Sequence, residues 1–196
     1  ESELKHLDEP EERITLLMTA AAVWSDELQE GRRAVRCLEA VLDIDAHHQS
    51  AANALVEQYE ALSMAGRLPR VLDILLIERE GEERQTLLMA KAKVLADHFN
   101  DWPTAMELLR EAASCSALTH PILDRLFEAA TRLNQWGGFI EIVEANYETA
   151  LRPIQIASLT RIGQTYRDHL NDTQRAVETF TQLTIIAPDS IDAWRS

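Results

Sequence analysis

The residues that could carry chemistry in this sequence are few, and the first candidates are the adjacent histidines His47 and His48. Neighbouring imidazoles can bind a transition metal, but a metal site also needs further His, Cys or carboxylate ligands at characteristic spacings. The residues around this pair do not follow any of those patterns. We therefore interpret both histidines as solvated loop residues, and the sequence predicts neither a metal nor any other cofactor.

The sequence also lacks clear patterns for a catalytic nucleophile or a phosphate-binding loop. Ser25 and Ser63 lack the matching His and acid arrangement that activates a serine nucleophile. Gly137-Gly138 is the only pair of adjacent glycines, and a phosphate-binding loop needs a longer glycine-rich pattern. On these residues we predict that the chain is not an enzyme.

The charge balance constrains the class of partner. The chain has 19 basic and 33 acidic residues, a formal net charge of −14 and a pI of about 4.8. Such a field repels phosphate backbones and anionic lipids, so nucleic acid is not expected as a ligand, and electrostatic steering favours a partner with a basic segment. No apolar run approaches the ~18 residues that a membrane span needs, so we do not expect membrane insertion.

The two cysteines, Cys37 and Cys115, show no CxxC or Cys/His ligand spacing. We expect them to be buried, reduced thiols, which favours a reducing compartment and a cytoplasmic location. The first ten residues lack the basic and apolar segments of a signal peptide. The sequence does not begin with methionine, which suggests a fragment of a longer protein.

The elements that would position any site follow from an internal repeat. Residues 13–28, RITLLMTAAAVWSDEL, return at residues 84–99 as RQTLLMAKAKVLADHF, which is an offset of 71 residues. The same offset relates residues 95–106 to residues 166–177. A fixed period of this length is typical of repeat architectures in which each unit packs on the next.

Between these copies lies a second, related unit, because residues 67–76 match residues 135–144. The period is therefore a pair of units of 34–37 residues, each long enough for two helices of about four turns. Apolar residues recur at helical spacing throughout. The equivalent positions that define the units are Ala34, Val71, Ala105, Phe139 and Ala176. The predicted helices cover 11–29, 31–44, 49–65, 68–79, 82–99, 102–114, 119–134, 137–150, 153–169 and 172–186.

The stretch IGQTYRDHLNDTQRAVETFTQLTIIAPDSIDAW, residues 162–194, resembles a tetratricopeptide repeat (TPR). The small, aromatic, small, aromatic, apolar and proline positions of that repeat are held by Gly163, Tyr166, Ala176, Phe180, Leu183 and Pro188. The other units keep the pattern with departures. The second unit carries about three extra residues, and each odd unit has one extra residue in its hairpin turn.

This resemblance implies an all-α fold, a right-handed α-solenoid of about five antiparallel helix hairpins. We expect residues 1–196 to form a single TPR-like repeat domain, in which residues 1–8 end a preceding helix and residues 189–196 start a further repeat. The expected repeats cover approximately 11–46, 47–80, 82–116, 119–150 and 153–188.

TPR proteins are protein-binding scaffolds that commonly hold an extended peptide or a helix in a groove lined by the first helix of each hairpin. The resemblance therefore implies a non-enzymatic protein–protein interaction scaffold within a larger protein, with a protein or peptide as its partner. The implied groove positions are Met18, Ala22, Ser25, Asn53, Glu60, Met89, Lys93, Ala96, Thr160, Gln164 and Arg167.

Three alternatives remain at this point. The segment could be a structural spacer or an oligomerisation segment, whose groove would show no ligand preference. It could instead be a sensory or regulatory domain that binds a ligand and controls an attached effector. An all-helical enzyme would need a pocket of convergent polar groups, which the sequence does not indicate. No sequence feature favours a particular oligomeric state.

Overall fold

The computed structural model describes residues 10–188, and within that range the chain forms α-helices and no β-strand. Consecutive helices pair into five hairpins, as the repeat predicts. The first helices are α1 (Pro10–Ala22), α3 (Gln49–Ala61), α5 (Gly81–Phe99), α7 (His120–Leu133) and α9 (Arg152–Asp168). The second helices are α2 (Gly31–Ile44), α4 (Leu68–Leu76), α6 (Trp102–Cys115), α8 (Trp136–Ala145) and α10 (Thr173–Ile186).

The helices divide into two compact units by their backbone contacts. The first unit comprises the described residues up to Arg79 together with Asp97–Phe99, and so contains α1 to α4. The second unit comprises Glu80–Ala96 and the described residues from Asn100 onward, and so contains most of α5 and all of α6 to α10. Within a unit, the second helix of one hairpin packs against the first helix of the next hairpin. Examples are α2 with α3 and α6 with α7.

The turn inside every hairpin contains one residue with a positive φ. These residues are Gln29, Ser63, Asn100, Asn134 and Asn171, with φ between 51° and 55°. Gln29, Asn100 and Asn171 are spaced by 71 residues, and so are Ser63 and Asn134. Asparagine is the residue that best tolerates this left-handed conformation after glycine. The backbone therefore repeats with the same period as the sequence.

The second hairpin departs from the others in the way that the sequence indicates. In four hairpins the second helix begins two residues after the left-handed residue, but α4 begins five residues after Ser63. A 3₁₀ turn, Ala65–Arg67, occupies the three additional positions. This confirms the prediction of about three extra residues in the second unit.

Short polar contacts fix the turns. Asn100 Oδ1 accepts a hydrogen bond from Trp102 Nε1 at 3.0 Å, and Asn134 Oδ1 accepts one from Trp136 Nε1 at the same distance. Both tryptophans are thereby buried with their single polar group satisfied. Asp101 caps α6 by accepting from the backbone N–H of Thr104 at 3.2 Å.

The aspartates that recur at positions 26, 97 and 168 lie before the left-handed residue of the hairpin turn and not at the cap of the second helix. Asp97 lies inside α5, and Asp168 is the last residue of α9. The capping interaction lies four residues further along the chain, where Asp172, like Asp101, accepts from a backbone N–H in the first turn of the next helix.

Three hairpins are closed at their open end by a side chain from the first helix. Gln49 Nε2 donates to the carbonyl of Ile74 at 2.9 Å, and Arg152 Nη2 donates to the carbonyl of Ile186 at 2.7 Å. Gln85, which is 8% exposed, donates to Ala112 O at 2.9 Å and also to Ala117 O at 3.1 Å. Each bond adds a donor to a carbonyl at or just beyond the last turn of the second helix, where donors within the helix run out. The Ile74 carbonyl also accepts from the backbone N–H of Ile77 at 3.3 Å.

The alanines that recur at equivalent positions are buried. Ala34, Ala105 and Ala176 are 0%, 1% and 3% exposed, each near the start of a second helix. Cys37 and Cys115 are free thiols but only half-buried, and burial raises the pKa of Cys37. The expectation that both cysteines are buried is therefore wrong.

Two structural predictions fall on residues 1–8 and 189–196, which lie outside the described residues. Among the residues that are described, no helix is both long enough and apolar enough to cross a lipid bilayer. The helices α3, α4 and α8 are shorter than predicted and end at Ala61, Leu76 and Ala145. After α8, Asn146 Nδ2 donates to the Ile142 carbonyl at 2.8 Å, a side-chain bond typical of residues that end a helix.

Candidate functional site

A cavity of about 190 Å³ lies among α1, α2 and α3 in the first unit, and we call it the first-helix cavity. Its lining includes the predicted groove residues Met18, Ala22 and Ser25. The remaining lining residues are Ala21, Asp26, Ala34, Leu38, Ala54, Glu57 and Gln58. The lining is apolar apart from four polar side chains and contains two carboxylates and no cation. The structure thus brings together all three groove positions predicted in the first hairpin.

A π-helical turn positions the polar edge of this cavity. The chain continues from α1 as a π-helix, Val23–Glu27, in which the backbone N–H of Leu28 bonds to the Val23 carbonyl at 3.1 Å. Ser25 and Asp26 lie within this turn, and Ser25 Oγ accepts a hydrogen bond from Gln58 Nε2 at 2.9 Å. Single π-helical turns are frequent at functional sites.

The α3 side of the cavity uses residues that the sequence analysis did not select. Ala54, Glu57 and Gln58 line it, whereas the predicted groove residues Asn53 and Glu60 are exposed on α3 and do not. A signal for this face was present in the sequence. The apolar residues at 51, 55 and 59 form the buried stripe of α3, so positions 54 and 58 lie on the neighbouring face.

The remaining predicted positions lie in the second unit. On α5, Met89 is half-buried, Lys93 is exposed and Ala96 is 5% exposed. On α9, Thr160 Oγ1 donates to the carbonyl of Ile156 at 2.8 Å and Gln164 is half-buried. The role of these residues in binding stays a prediction.

Arg167, also predicted to face the groove, is held by its neighbour. Its Nε and Nη2 lie 2.7 and 3.1 Å from the two carboxylate oxygens of Asp168. This hydrogen-bonded pair lowers the pKa of Asp168. Both side chains are about half exposed, so a partner's carboxylate would compete with Asp168 for the same guanidinium.

A larger cavity of about 420 Å³ lies between α2 and α4 in the first unit, and we call it the second-helix cavity. Its lining residues are Glu39, Leu42, Asp43, Tyr59, Gly66, Arg67, Arg70 and Val71. Glu39 accepts a hydrogen bond from Tyr59 Oη at 2.8 Å and also pairs with Arg67. Burial, together with the Glu39 carboxylate, raises the pKa of Tyr59 to about 12.

Two histidines, His48 and His169, have structural contacts. His48 Nδ1 accepts a hydrogen bond from the backbone N–H of Ala51 at 3.1 Å and so caps α3, which differs from the solvated role expected for it. His169 stacks on the ring of Trp136, with centroids 3.6 Å apart. Between residues 10 and 188 no group of three or more His, Cys, Asp or Glu side chains is arranged to hold a metal ion.

Comparison with known proteins finds the same architecture among solved structures. No family model matches the chain, and no curated protein matches it by sequence. Solved structures do match. YrrB, described as a TPR protein with an unusual peptide-binding site, aligns over 91% of this chain and 89% of its own, with 17% identity and a TM-score of 0.53. A crystal structure of MamA aligns over 90% of this chain and 93% of its own, with 15% identity and a TM-score of 0.56.

A second MamA structure, of AMB-1, covers 92% of this chain and 94% of its own, with 17% identity and a TM-score of 0.55. At identities of 15–17%, this structural likeness shows the fold alone. The chain has an all-α, TPR-like solenoid fold, and both the predicted resemblance and the predicted fold class are confirmed.

Proposed function

We propose that the chain is a protein–protein interaction scaffold that binds a peptide or helix of a partner along its first helices, and that the first-helix cavity takes an apolar side chain of that partner. The observation that carries the proposal is the cavity itself, because three groove positions chosen from the sequence line it. The other first-helix positions, such as Lys93, would extend the same binding surface.

The size and lining of the cavity favour one anchoring side chain. Its volume of about 190 Å³ is that of a pocket for a single side chain, and its apolar floor of Met18, Ala21 and Leu38 would replace water around that side chain. Burying an aliphatic or aromatic side chain contributes about 1.5–3 kcal/mol. Such an anchor, in a pocket sealed by its rim, is the usual source of binding energy at an interface.

The charges at the rim favour a basic residue next to the anchor. Asp26 and Glu57 are both exposed, and the residues that line the cavity include no cation to neutralise them. A Lys or Arg of the partner would pair with them, and the net charge of −14 would speed its approach. We therefore expect anchor size to set affinity and the basic residue to set the rate of association.

The same reasoning supports one continuous array without catalytic activity. The turn of every hairpin contains one residue with a positive φ, which fits a single repeat domain over residues 1–196. The polar groups of the first-helix cavity comprise one hydroxyl, one amide and two carboxylates, with no histidine or cysteine nucleophile among them. Such a lining is suited to recognition rather than to bond breaking.

The test is selection from a random peptide library on the wild-type chain, followed by binding measurements with the selected peptide. We expect selected peptides to share an apolar residue adjacent to Lys or Arg. Replacing the apolar residue by Ala should weaken binding by about tenfold or more. Replacing the basic residue by Gln should mainly slow association, and more so at low salt.

A structural spacer gives a different result. It would select no peptide family above background, or it would select peptides whose binding is indifferent to both substitutions. Either outcome would contradict the proposal.

A further inference from the structure

The second-helix cavity lies where the repeat departs from its own pattern. The 3₁₀ turn Ala65–Arg67 is the three-residue addition of the second hairpin, and two of its residues, Gly66 and Arg67, line the cavity. Additions to one unit of a repeat protein commonly map to a binding face. The addition and the larger of the two cavities described above therefore coincide.

Two facing rows of opposite charge line this cavity. Glu39 and Asp43 are four residues apart on α2, so they lie on one face of that helix. Arg67 and Arg70 are three residues apart at the start of α4 and line the opposite side. The lining thus carries two carboxylates and two guanidinium groups, which is electrically balanced in a chain whose net charge is −14.

One end of the double row is closed. Glu39 pairs with Arg67, and the hydroxyl of Tyr59, which is 4% exposed, donates to the same carboxylate oxygen at 2.8 Å. The buried tyrosine thereby holds the Glu39 carboxylate in place. This end of the cavity has its charges satisfied before any ligand arrives.

The other end is open. Asp43 and Arg70 are both exposed and line the same cavity, yet within residues 10–188 neither has an ion-pair partner within 4.0 Å. The same cavity is also lined by the apolar side chains of Leu42, which is 7% exposed, and Val71, which is 2% exposed. The site therefore offers one anion, one cation and an apolar wall.

We propose that the second-helix cavity binds a small zwitterion of the α-amino-acid class, with its ammonium on Asp43, its carboxylate on Arg70 and an apolar side chain against Leu42 and Val71. A simple anion would leave Asp43 unpaired, and a simple cation would leave Arg70 unpaired. A zwitterion completes the open end as Arg67 and Glu39 complete the closed one. The cavity volume of about 420 Å³ lies in the range typical of small-molecule pockets.

This site is separate from the proposed peptide site, because the two cavities share no lining residue. A ligand here would suit a scaffold whose state responds to a metabolite. The amino-acid site can be tested without a peptide.

The first experiment is ligand-observed NMR and calorimetry on the whole chain with L-leucine and L-methionine as probes. We expect binding with a Kd on the order of 1 mM or tighter. L-leucine methyl ester lacks the carboxylate and 4-methylpentanoate lacks the ammonium, so each should bind at least about tenfold more weakly than leucine. If neither amino acid binds at about 10 mM, or if both analogues bind as well as leucine, the proposal is overturned.

The second experiment reverses the charges. Asp43→Arg and Arg70→Asp should each abolish leucine binding, whereas the double variant should restore it to within about threefold, because a zwitterion can bind in the opposite orientation. Arg36→Gln, at an exposed position of α2 that does not line the cavity, is the matched control. Unchanged melting temperatures would show that folding is intact, and silent single reversals would refute the assignment.

Discussion

The ring of Phe180 packs directly on the backbone of Gly163, so that a Cβ on this glycine would lie 2.6 Å from Cε1 of the phenylalanine. Gly163 lies in α9 and is buried, and Phe180 lies in α10 and is 8% exposed. The two residues occupy the small and the aromatic positions of the TPR pattern. The close approach of these helices explains why the pattern joins the two residue types.

Gly163→Ala should therefore destabilise the chain. In an exposed helix this change would gain about 0.5–1 kcal/mol from helix propensity, but overpacking against the buried ring should cost about 1–3 kcal/mol. Urea unfolding measures the net loss. Phe180→Leu should remove the clash, so the double variant Gly163→Ala/Phe180→Leu should lose less than the sum of the single variants. Strictly additive losses would mean that the two residues do not contact each other.

Gln85→Ala should destabilise the third hairpin. The side-chain amide donates to two carbonyls, Ala112 O and Ala117 O, and its removal leaves both without this partner in a buried place. We expect a loss of about 1–3 kcal/mol in the free energy of unfolding. Gln174→Ala is the control, because Gln174 is exposed and bonds only within its own helix, to Glu178. Equal effects of the two substitutions would contradict this role.

Tyr59 should make stability depend on pH under alkaline conditions. Its pKa is about 12 in the folded chain, whereas an unfolded tyrosine ionises near pH ~10. Because the folded pKa is the higher one, the associated stabilisation is fully present below pH ~10 and is lost as the pH rises from there through about 12. Urea midpoints of the wild type should therefore fall more steeply over this window than those of Tyr59→Phe. Parallel curves would show that Tyr59 is not the group responsible.

The sequence was sufficient to predict the helices and their pairing because the signals are local and repeated. The 71-residue offset and the 3.6-residue period together located all five hairpins, and most helix ends agree within two residues. The three additional residues of the second hairpin were also visible, because they interrupt the offset. Their conformation, a 3₁₀ turn that begins at Ala65, was not.

The candidate sites were harder to predict, because they depend on how helices rotate and on contacts far apart in sequence. A shift of one residue turns a helix by about 100°, which is enough to exchange Asn53 for Ala54 at the first-helix cavity. The sequence shows one extra residue in the first hairpin. Whether such a residue forms a π-helical turn depends on backbone hydrogen bonding, which the sequence does not show. The second-helix cavity joins Glu39 to Tyr59, which is 20 residues away in sequence, and to Arg67, which is 28 residues away. No feature of the repeat marks these three residues.

Binding by the first-helix cavity is the central claim, and a matched pair of variants tests it most directly. Ala22→Lys places a long side chain in the cavity, and Ala145→Lys makes the same change at an exposed position of α8. The measurement is the Kd of the library-selected peptide for each variant and for the wild type. We predict that Ala22→Lys weakens binding by at least about tenfold, or about 1.4 kcal/mol, with little change in melting temperature, while Ala145→Lys binds like the wild type. Wild-type affinity in Ala22→Lys, or a loss confined to Ala145→Lys, would contradict the account.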